Sequence, residues 1–477
     1  MTVSTTHTQY SRYALAWQRC RDVIAGRDAL VRQARSRYYQ STIDGRPQLY
    51  EQYIRPLSGQ TSDEYLSYVE RAAFYGATGR TVEALTGLIF GKDPSYELPS
   101  AIEGYVEDIT LSACNLREFV SLVVTEEISV TRVGVLVDYP ATSPQGLSRA
   151  QAEALNLRPF LKMYRGESII NWRTTTVNGA QVLTLVVLAE EVEKQTGEFT
   201  TDIETQYRVL DLTPEGYRQR VLDRSGQLIG DELYPRMRGE PMRFIPFSVV
   251  GGFDVRRPLL LDLVDTNIAH YRNSADYEHG LHFVGLPTPY VAGVQLQEGQ
   301  TLTIGSSSAW VFPDPAASAA FLEFKGDGLK TLADAMTAKE QRMAVLGARM
   351  LADEKRSSEA QGTVEMRTAG ERSLLAAAAR DVSDTIRRCL NWMAEWVGAP
   401  ADVQFSLNTD YGAHRLDPTM LRELVSAYQG GAIPLSTLFD NLQRGEIVQP
   451  DETFESFQAQ IADAAPSLTT PVPVNGA

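Results

Sequence analysis

Cysteine is scarce in this chain: Cys20, Cys114 and Cys389 stand far apart in 477 residues. They form no CxxC pair and no metal-ligand spacing, so neither a disulfide framework nor a zinc module organises the fold. Buried free thiols in a reducing compartment are the expected state. Long hydrophobic runs are missing too. The longest, near Leu183 to Ala189, is far short of the roughly 20 residues that cross a bilayer. The first thirteen residues, MTVSTTHTQYSRY, hold no apolar segment of a secretory signal. The expectation is no membrane contact and synthesis in the cytoplasm. Positive charge is short as well: 45 Lys and Arg stand against 60 Asp and Glu, a net charge of −15. A broad nucleic-acid grip needs cations against phosphate, so that class is excluded; a wall past which a duplex slides without sticking is not.

Chemical motifs are also wanting. Gly87-Leu-Ile-Phe-Gly91-Lys92 lacks phosphate-loop spacing, has Asp93 where a magnesium-binding hydroxyl belongs, and follows a helical pattern. His270, His279 and His282 cluster near Asp276 and Glu278, but without HExxH or comparable spacing; they read as polar residues near a helix end. GxSxG is absent, and Gly305-Ser306-Ser307-Ser308 is a turn. No pair of carboxylates is singled out. The expectation is a protein that is not an enzyme, with no catalytic residues, cofactor or metal.

What is present is ordinary globular material: 43% hydrophobic and 22% charged residues, enough for a sizeable core and two to four packed regions. The class expected is α+β, mainly helical. Helical patterns run over 11–37 and 62–91, the latter opening at Thr61-Ser62-Asp63-Glu64 and interrupted at Gly76 and Gly79. A helix over 116–130 leads into a buried strand, 133–137. Residues 159–250 read as an antiparallel meander, its strands separated by turns at Asn178-Gly179, Thr196-Gly197, Pro214-Glu215-Gly216 and Ser225-Gly226.

From Pro258, taken as a first helical position, Leu260, Val264, Ile268, Tyr271 and Ala275 share one face, and Asp262, Asp265, Asn273 and Asp276 the opposite one. At 1.5 Å per residue, 259–283 spans about 37 Å. Short strands and turns occupy 289–324. A second long helix starts near Asp327, with Leu329, Leu332, Met336, Met343 and Met350 on one stripe and Arg342 and Arg349 on the other side. A polar break at 353–359 precedes a third, 361–397, where Leu375, Val382, Ile386, Leu390 and Met393 are periodic. Shorter helices follow near 417–429 and 434–444, and residues 464–477 read as a disordered tail. Between Lys330 and Arg380 nine Lys and Arg outnumber seven Asp and Glu. That balance fits a solvated helical face or a segment that DNA passes closely.

Several stretches carry a resemblance. These are Tyr65-x-x-Tyr68-x-x-Arg71-Ala-Ala-Phe74-Tyr75, Arg80-Thr81-x4-Thr86-Gly87-Leu-Ile-Phe90, Gly134-Val-Leu-Val-Asp138-Tyr-Pro140 and Leu346-Gly-Ala-Arg349-Met350-Leu351. The most specific is Asn267-Ile268-Ala-His270-Tyr271-x-Asn273-Ser274-Ala275-Asp276-Tyr277. With the order of elements, they resemble the portal proteins of tailed bacteriophages, in particular a largely uncharacterised portal-like phage family, over about residues 11 to 450.

The resemblance implies a portal-type architecture. Residues 1–255 would be a wing, helical then β-rich; 256–284 a first stem helix; 285–326 a small α/β clip; 327–351 a second stem helix. Residues 352–362 would be a tunnel loop, 363–397 a long helix returning to the wing, 398–463 a helical crown. The function implied is a homo-oligomeric ring of about twelve subunits at one capsid vertex. It would pass double-stranded DNA without sequence preference, dock the large terminase and then the head–tail adaptor, and contact the major capsid or scaffold protein. The place implied is the virion, with the host cytoplasm during assembly. DNA-channel candidates are Lys355, Arg356, Arg349, Arg342, Asp262, Asp265 and Asp276, with Arg272 partly offsetting rings of acid. Tyr290, Trp310 and Phe312 are partner-contact candidates for the clip or a small local core. The alternatives are another virion structural protein, a scaffold or capsid subunit, or a phage enzyme with a dispersed site.

Overall fold

A computed structural model describes residues 2–36, 53–140, 154–285, 288–293, 311, 315–322, 327–351, 373–411, 418–444, 447–448 and 452–464. It divides into two compact units, residues 1–410 and 411–477.

The first unit opens with α1 (Thr8–Ala25) and α2 (Arg27–Ser36). The helical pattern expected over 11–37 is divided at Gly26, whose φ of 87° no helix accommodates. Next come α3 (Ser62–Arg71) and α4 (Ala77–Ile89). Helix α3 starts at the anticipated signal: Thr61 and Glu64 form a reciprocal capping box. The interruption expected at Gly76 and Gly79 falls instead over 72–76, and Gly79 lies inside α4. Strand β1 (Ser95–Glu97) and the short α5 (Ser100–Glu103) lead to α6 (Leu116–Val130). Helix α6 is capped by Asn115 with Glu118 and closed by Thr131 in the left-handed region.

Two antiparallel sheets follow. In one, β2 (Val133–Asp138) lies between β3 (Phe160–Arg165) and β10 (Phe247–Val249). The other is a meander shorter than the one anticipated over 159–250, whose ends β3 and β10 pair with β2 instead: β4 (Ile169–Val177), β5 (Ala180–Gln195), β6 (Thr201–Thr213) and β7 (Gly216–Leu222), in that order. A small ribbon, β8 (Arg236–Met237) with β9 (Glu240–Pro241), sits between. Helix α7 (Leu261–Gly285) and helix α8 (Asp327–Ala348) flank a hairpin of β11 (Thr288–Ala292) and β12 (Ser318–Leu322). Helix α9 (Leu374–Trp396) is capped by Ser373. Strand β13 (Gln404–Ser406) then pairs with β1. The 361–372 part of the third expected helix lies outside the described residues.

The first unit holds three apolar clusters. One joins α1–α3 to α7 through Trp17, Cys20, Val23, Tyr65, Tyr68, Val264, Ile268 and Tyr271. A second lies between the sheets, with Leu136, Trp172, Val186, Leu188, Leu210, Tyr217 and Phe247. The third, on the other face of the meander, gathers Ile170, Val187, Tyr207 and Val209 under Val3 and Tyr10. Each such side chain removed from water contributes about 1.5–3 kcal/mol before entropy is charged. The stripe Leu375, Val382, Ile386, Leu390 and Met393 of α9 is wholly buried. Cys20 and Cys389 are buried as expected, and burial pushes both thiols up to about 12, which makes them inert. Cys114 is only half-buried, because it sits in the turn before α6.

The second unit contains α10 (Pro418–Gln429), α11 (Leu435–Arg444) and α12 (Phe454–Ala464). Phe439 packs edge-on against Phe454 and at a tilt against Phe457, with centroids 5.6 and 5.0 Å away. Helix α12 was not anticipated in the sequence. Residues 465–477 of the expected tail lie outside the described residues.

Candidate functional site: a long helical pair and its root

Helix α7 is the longest helix described, 25 residues, or about 37 Å. It does not begin at Pro258 as expected. Residues 258–260 form a turn in which Leu261 N–H donates to Pro258 O at 3.2 Å, and the helix proper starts at Leu261. Its root is pinned from three sides. Arg256 bridges Glu127 of α6 and Asp381 of α9, at 2.7 Å each. Leu259 N–H donates to Thr131 Oγ1 at 2.9 Å. Arg257 pairs with Asp262 at 2.5 Å across the first turn.

The expected apolar face, Leu260, Val264, Ile268, Tyr271 and Ala275, is buried throughout. The structure adds a second buried stripe: Leu263, Asn267, His270 and Ser274. Asn267 accepts from Thr78 Oγ1 at 2.9 Å and donates to Tyr75 O at 2.8 Å. Ser274 Oγ donates to Ala73 O at 2.7 Å. His270 Nε2 lies 3.1 Å from Glu340 Oε1 of α8. Asn267 and Ser274 are satisfied by the α3–α4 connection and the start of α4, which permits their burial, whereas His270 meets α8 through Nε2 and its buried Nδ1 has no partner among the described residues.

The three aspartates of α7 are exposed, and each has a partner. Asp262 is held by Arg257, Asp265 by Arg19 of α1 at 2.9 Å, and Asp276 accepts from the Tyr68 hydroxyl of α3. The hydrogen bond from Arg257 holds the Asp262 carboxyl below its usual range, and the charges of Arg342 and Arg349 work in the same direction. The antiparallel run of α7 and α8 thus brings Arg342 and Arg349, read in the sequence as a separate face, towards the first turn of α7. Arg272, expected beside the acids, gives its Nε–H to Tyr53 O at 2.6 Å.

Helix α8 is covered far less. Within Asp327–Ala348 only Met343 is buried. Leu329, Leu332 and Met336 of the expected stripe are half-buried, and Met350 beyond the helix is buried. At the far end of the pair a Cβ on Gly280 would stand 2.5 Å from Leu329 Cδ2, so glycine lets the two helices approach there. Leu281, Phe283 and Val284 remain 38%, 50% and 38% exposed. On the hairpin beyond, Tyr290 is 48% and Phe321 53% exposed. Trp310, Phe312, Lys355 and Arg356 lie outside the described residues.

Among the described residues no group of His, Cys, Asp and Glu could hold a metal ion, and no helix is long and apolar enough to cross a membrane. His279 packs edge-on against Tyr68 and Phe283.

The residues that sequence reasoning missed are those at the root and in the second stripe: Glu127, Arg256, Asn267, Thr78 and Glu340. Asn267 and His270 did stand in the most specific block, but their helical spacing is equally that of a solvated face. Only the partners on α4 and α8 distinguish the two.

Residues 258–397, from the root of α7 to the end of α9, match a family model described as a domain of unknown function, DUF4055. That is under a third of the chain. No curated protein matches. Among solved structures, the chain is similar to one in the neck of an empty gene transfer agent particle computed with C6 symmetry. The identity is 13%, with 79% of this chain and 90% of that chain covered and a TM-score of 0.36. A chain of the native gene transfer agent virion gives 13%, 79%, 91% and 0.35. One from the neck of the native particle computed with C12 symmetry gives 13%, 77%, 89% and 0.36. Superpositions this loose decide neither fold nor function.

Proposed function

We propose that this chain is a portal subunit: a ring of about twelve copies through which double-stranded DNA enters and leaves a phage-type capsid. The observation that carries the reading is the uneven burial of the helical pair. Helix α7 is rooted on two buried stripes, while α8 keeps one buried residue and the far end exposes Leu281, Phe283 and Val284. A single chain leaves that surface bare. Copies side by side about an axis would cover it, since cyclic symmetry lets one face of each pair meet the other face of the next.

In this reading α7 and α8 are the stem, the β11–β12 hairpin belongs to the clip, and residues 352–362 form the tunnel loop. The residues before Arg256 build the wing, and those after 397 the crown. The ring is a conduit and carries no catalytic group; ATP hydrolysis belongs to the terminase that docks on it. With Asp265 paired to Arg19, Asp262 paired to Arg257 and Asp276 held by the Tyr68 hydroxyl, much of the stem's acidic charge would be engaged within each subunit. Lys355 and Arg356 would touch phosphate in passing, contacts that salt weakens. Tyr290, Trp310 and Phe312 would meet the terminase and then the adaptor. The assembled ring resides in the virion after assembly in the host cytoplasm.

The test is negative-stain imaging with mass measurement of the purified chain. Closed rings with a central hole are expected. A monomer at every concentration and salt would end the proposal. In rings, Lys355→Ala with Arg356→Ala should impair DNA packaging or retention and leave ring formation intact. Trp310→Ala should weaken docking of the motor or adaptor.

A further inference from the structure

We propose that the outer half of the β5–β6 ribbon, residues 190–206, is an arm that docks on a second copy of this chain, at the exposed arginines of α1 and α2. The proposal rests on the ring reading and names one of its subunit contacts.

The arm is where the meander loses its neighbours. Strand β4 leaves β5 at the pair Ile169–Leu188, and β7 leaves β6 at the pair Tyr207–Leu222. From Glu190–Gln206 to Gln195–Thr201, β5 and β6 pair only with each other. At ~3.4 Å per residue those six pairs extend about 20 Å beyond the sheet. A lone two-stranded ribbon is marginal in water. This one has no aromatic pair along it, and its apolar residues are bare: Val192 is 39%, Ile203 66% and Phe199, at the turn, 91% exposed.

The face continues one that is covered further in. Tyr207, Thr205 and Ile203 alternate onto the same side of β6. At the inner end, Val3 and Tyr10 of the N-terminal segment pack over Tyr207 and Val187. The cover stops where the arm begins.

Charge selects the occupant. Between Glu190 and Glu204 the arm carries six acids and one lysine. Glu190 is engaged by Arg208 and Lys162, and Glu204 by Lys194. Glu191, Glu193, Glu198 and Asp202 remain, around Ile203 and Phe199. A receiver must combine cations with apolar contact. Helix α1 offers Arg12 with Leu15 one turn on, the latter 39% exposed, and α2 adds Arg32. Arg12 and Arg32 are exposed; Arg12 lies over the Tyr13 ring, and the charge of Arg32 reaches Asp22 of α1. Arm and receiver are both exposed in the single chain, so neither fills the other within one copy.

The experiment uses the full chain, with assembly read by mass photometry and imaging, and folding checked by circular dichroism. Glu191→Lys with Glu193→Lys and Phe199→Ser should raise the concentration for half-assembly about tenfold or more. Arg12→Glu with Arg32→Glu should do the same. Combining the lysines of the arm with the glutamates of the receiver in one chain should restore much of the loss. Should the folded arm variant assemble at the wild-type concentration, the arm is not a subunit contact, while the ring stands. Should the wild-type chain itself never assemble, the ring reading falls and takes the arm with it.

Discussion

Asn267 in the middle of α7 and Thr78 at the start of α4 are both completely buried, and their side chains meet with 2.9 Å between Oδ1 and Oγ1. The backbone N–H of Thr78 reaches the same Oδ1 at 3.3 Å, and the Asn267 amide donates to Tyr75 O. One side chain thereby ties the long helix to the α3–α4 connection. Asn267→Leu keeps the volume but strands these groups. A loss of about 2 kcal/mol is expected, read by urea unfolding. Adding Thr78→Val should recover part of it.

Glu190 collects Lys162, Tyr164, Gln206 and Arg208 on one carboxylate. Burial raises its pKa, but the charges and hydrogen bonds of Arg208 and Lys162 outweigh burial and bring it down to about 2. A lowered carboxylate contributes stability that is present above the ordinary value of 4.5 and lost as pH falls through 2. Glu190→Gln should cost about 3 kcal/mol at pH 7, because buried Arg208 loses its nearer carboxylate and keeps only Asp138, at 3.7 Å. Thermal unfolding from pH 6 down to pH 2 should show the gap to wild type closing.

Glu127 has the opposite sign. Burial lifts its carboxyl to about 8, against the pull of Arg256 and Arg132. Its contribution is therefore complete below 4.5 and lost as pH rises through 8. Glu127→Gln cannot ionise and escapes that loss. Its stability relative to wild type should rise from pH 5 to pH 9 in parallel denaturation series; a difference that stays flat would contradict the assignment.

Gly134 in β2 lies under the ring of Phe247, where an added Cβ would stand 2.2 Å from Cζ. Gly134→Ala should cost about 1–3 kcal/mol through overpacking. Phe247→Leu in the same chain should relieve part of that, which a pair of melting curves would reveal.

The helical pair itself tests assembly. Leu281→Ser with Phe283→Ser alters residues that are 38% and 50% exposed in one chain, so folding should be unaffected. Ring assembly, measured by sedimentation, should shift to higher protein concentration.

Local pattern made much of this legible from the sequence. The capping signal Thr61–Glu64, the helix over 116–130, the meander and the stripe of α9 all depend on residues close along the chain, and their periodicity survives into the structure. The five apolar positions of α7 were readable for the same reason. Breaks were harder. The position of Gly79 inside α4 and the start of α7 at Leu261 depend on neighbouring elements, which composition does not encode. Helix α12 was passed over because its short amphipathic run adjoins a Pro- and Thr-rich end.

By itself, then, the sequence determined the α+β class, the order of elements and the apolar faces, because 3.6- and 2-residue periods are properties of nearby residues. Tertiary structure alone decided the meaning of the polar ones. It buried Asn267 and His270 against Thr78 and Glu340, placed Arg256 between Glu127 and Asp381, and gave each aspartate of α7 a partner. The physical reason is that a polar side chain reads alike on a solvated face or in a satisfied interior, and only groups distant in sequence supply the hydrogen bonds that separate the two.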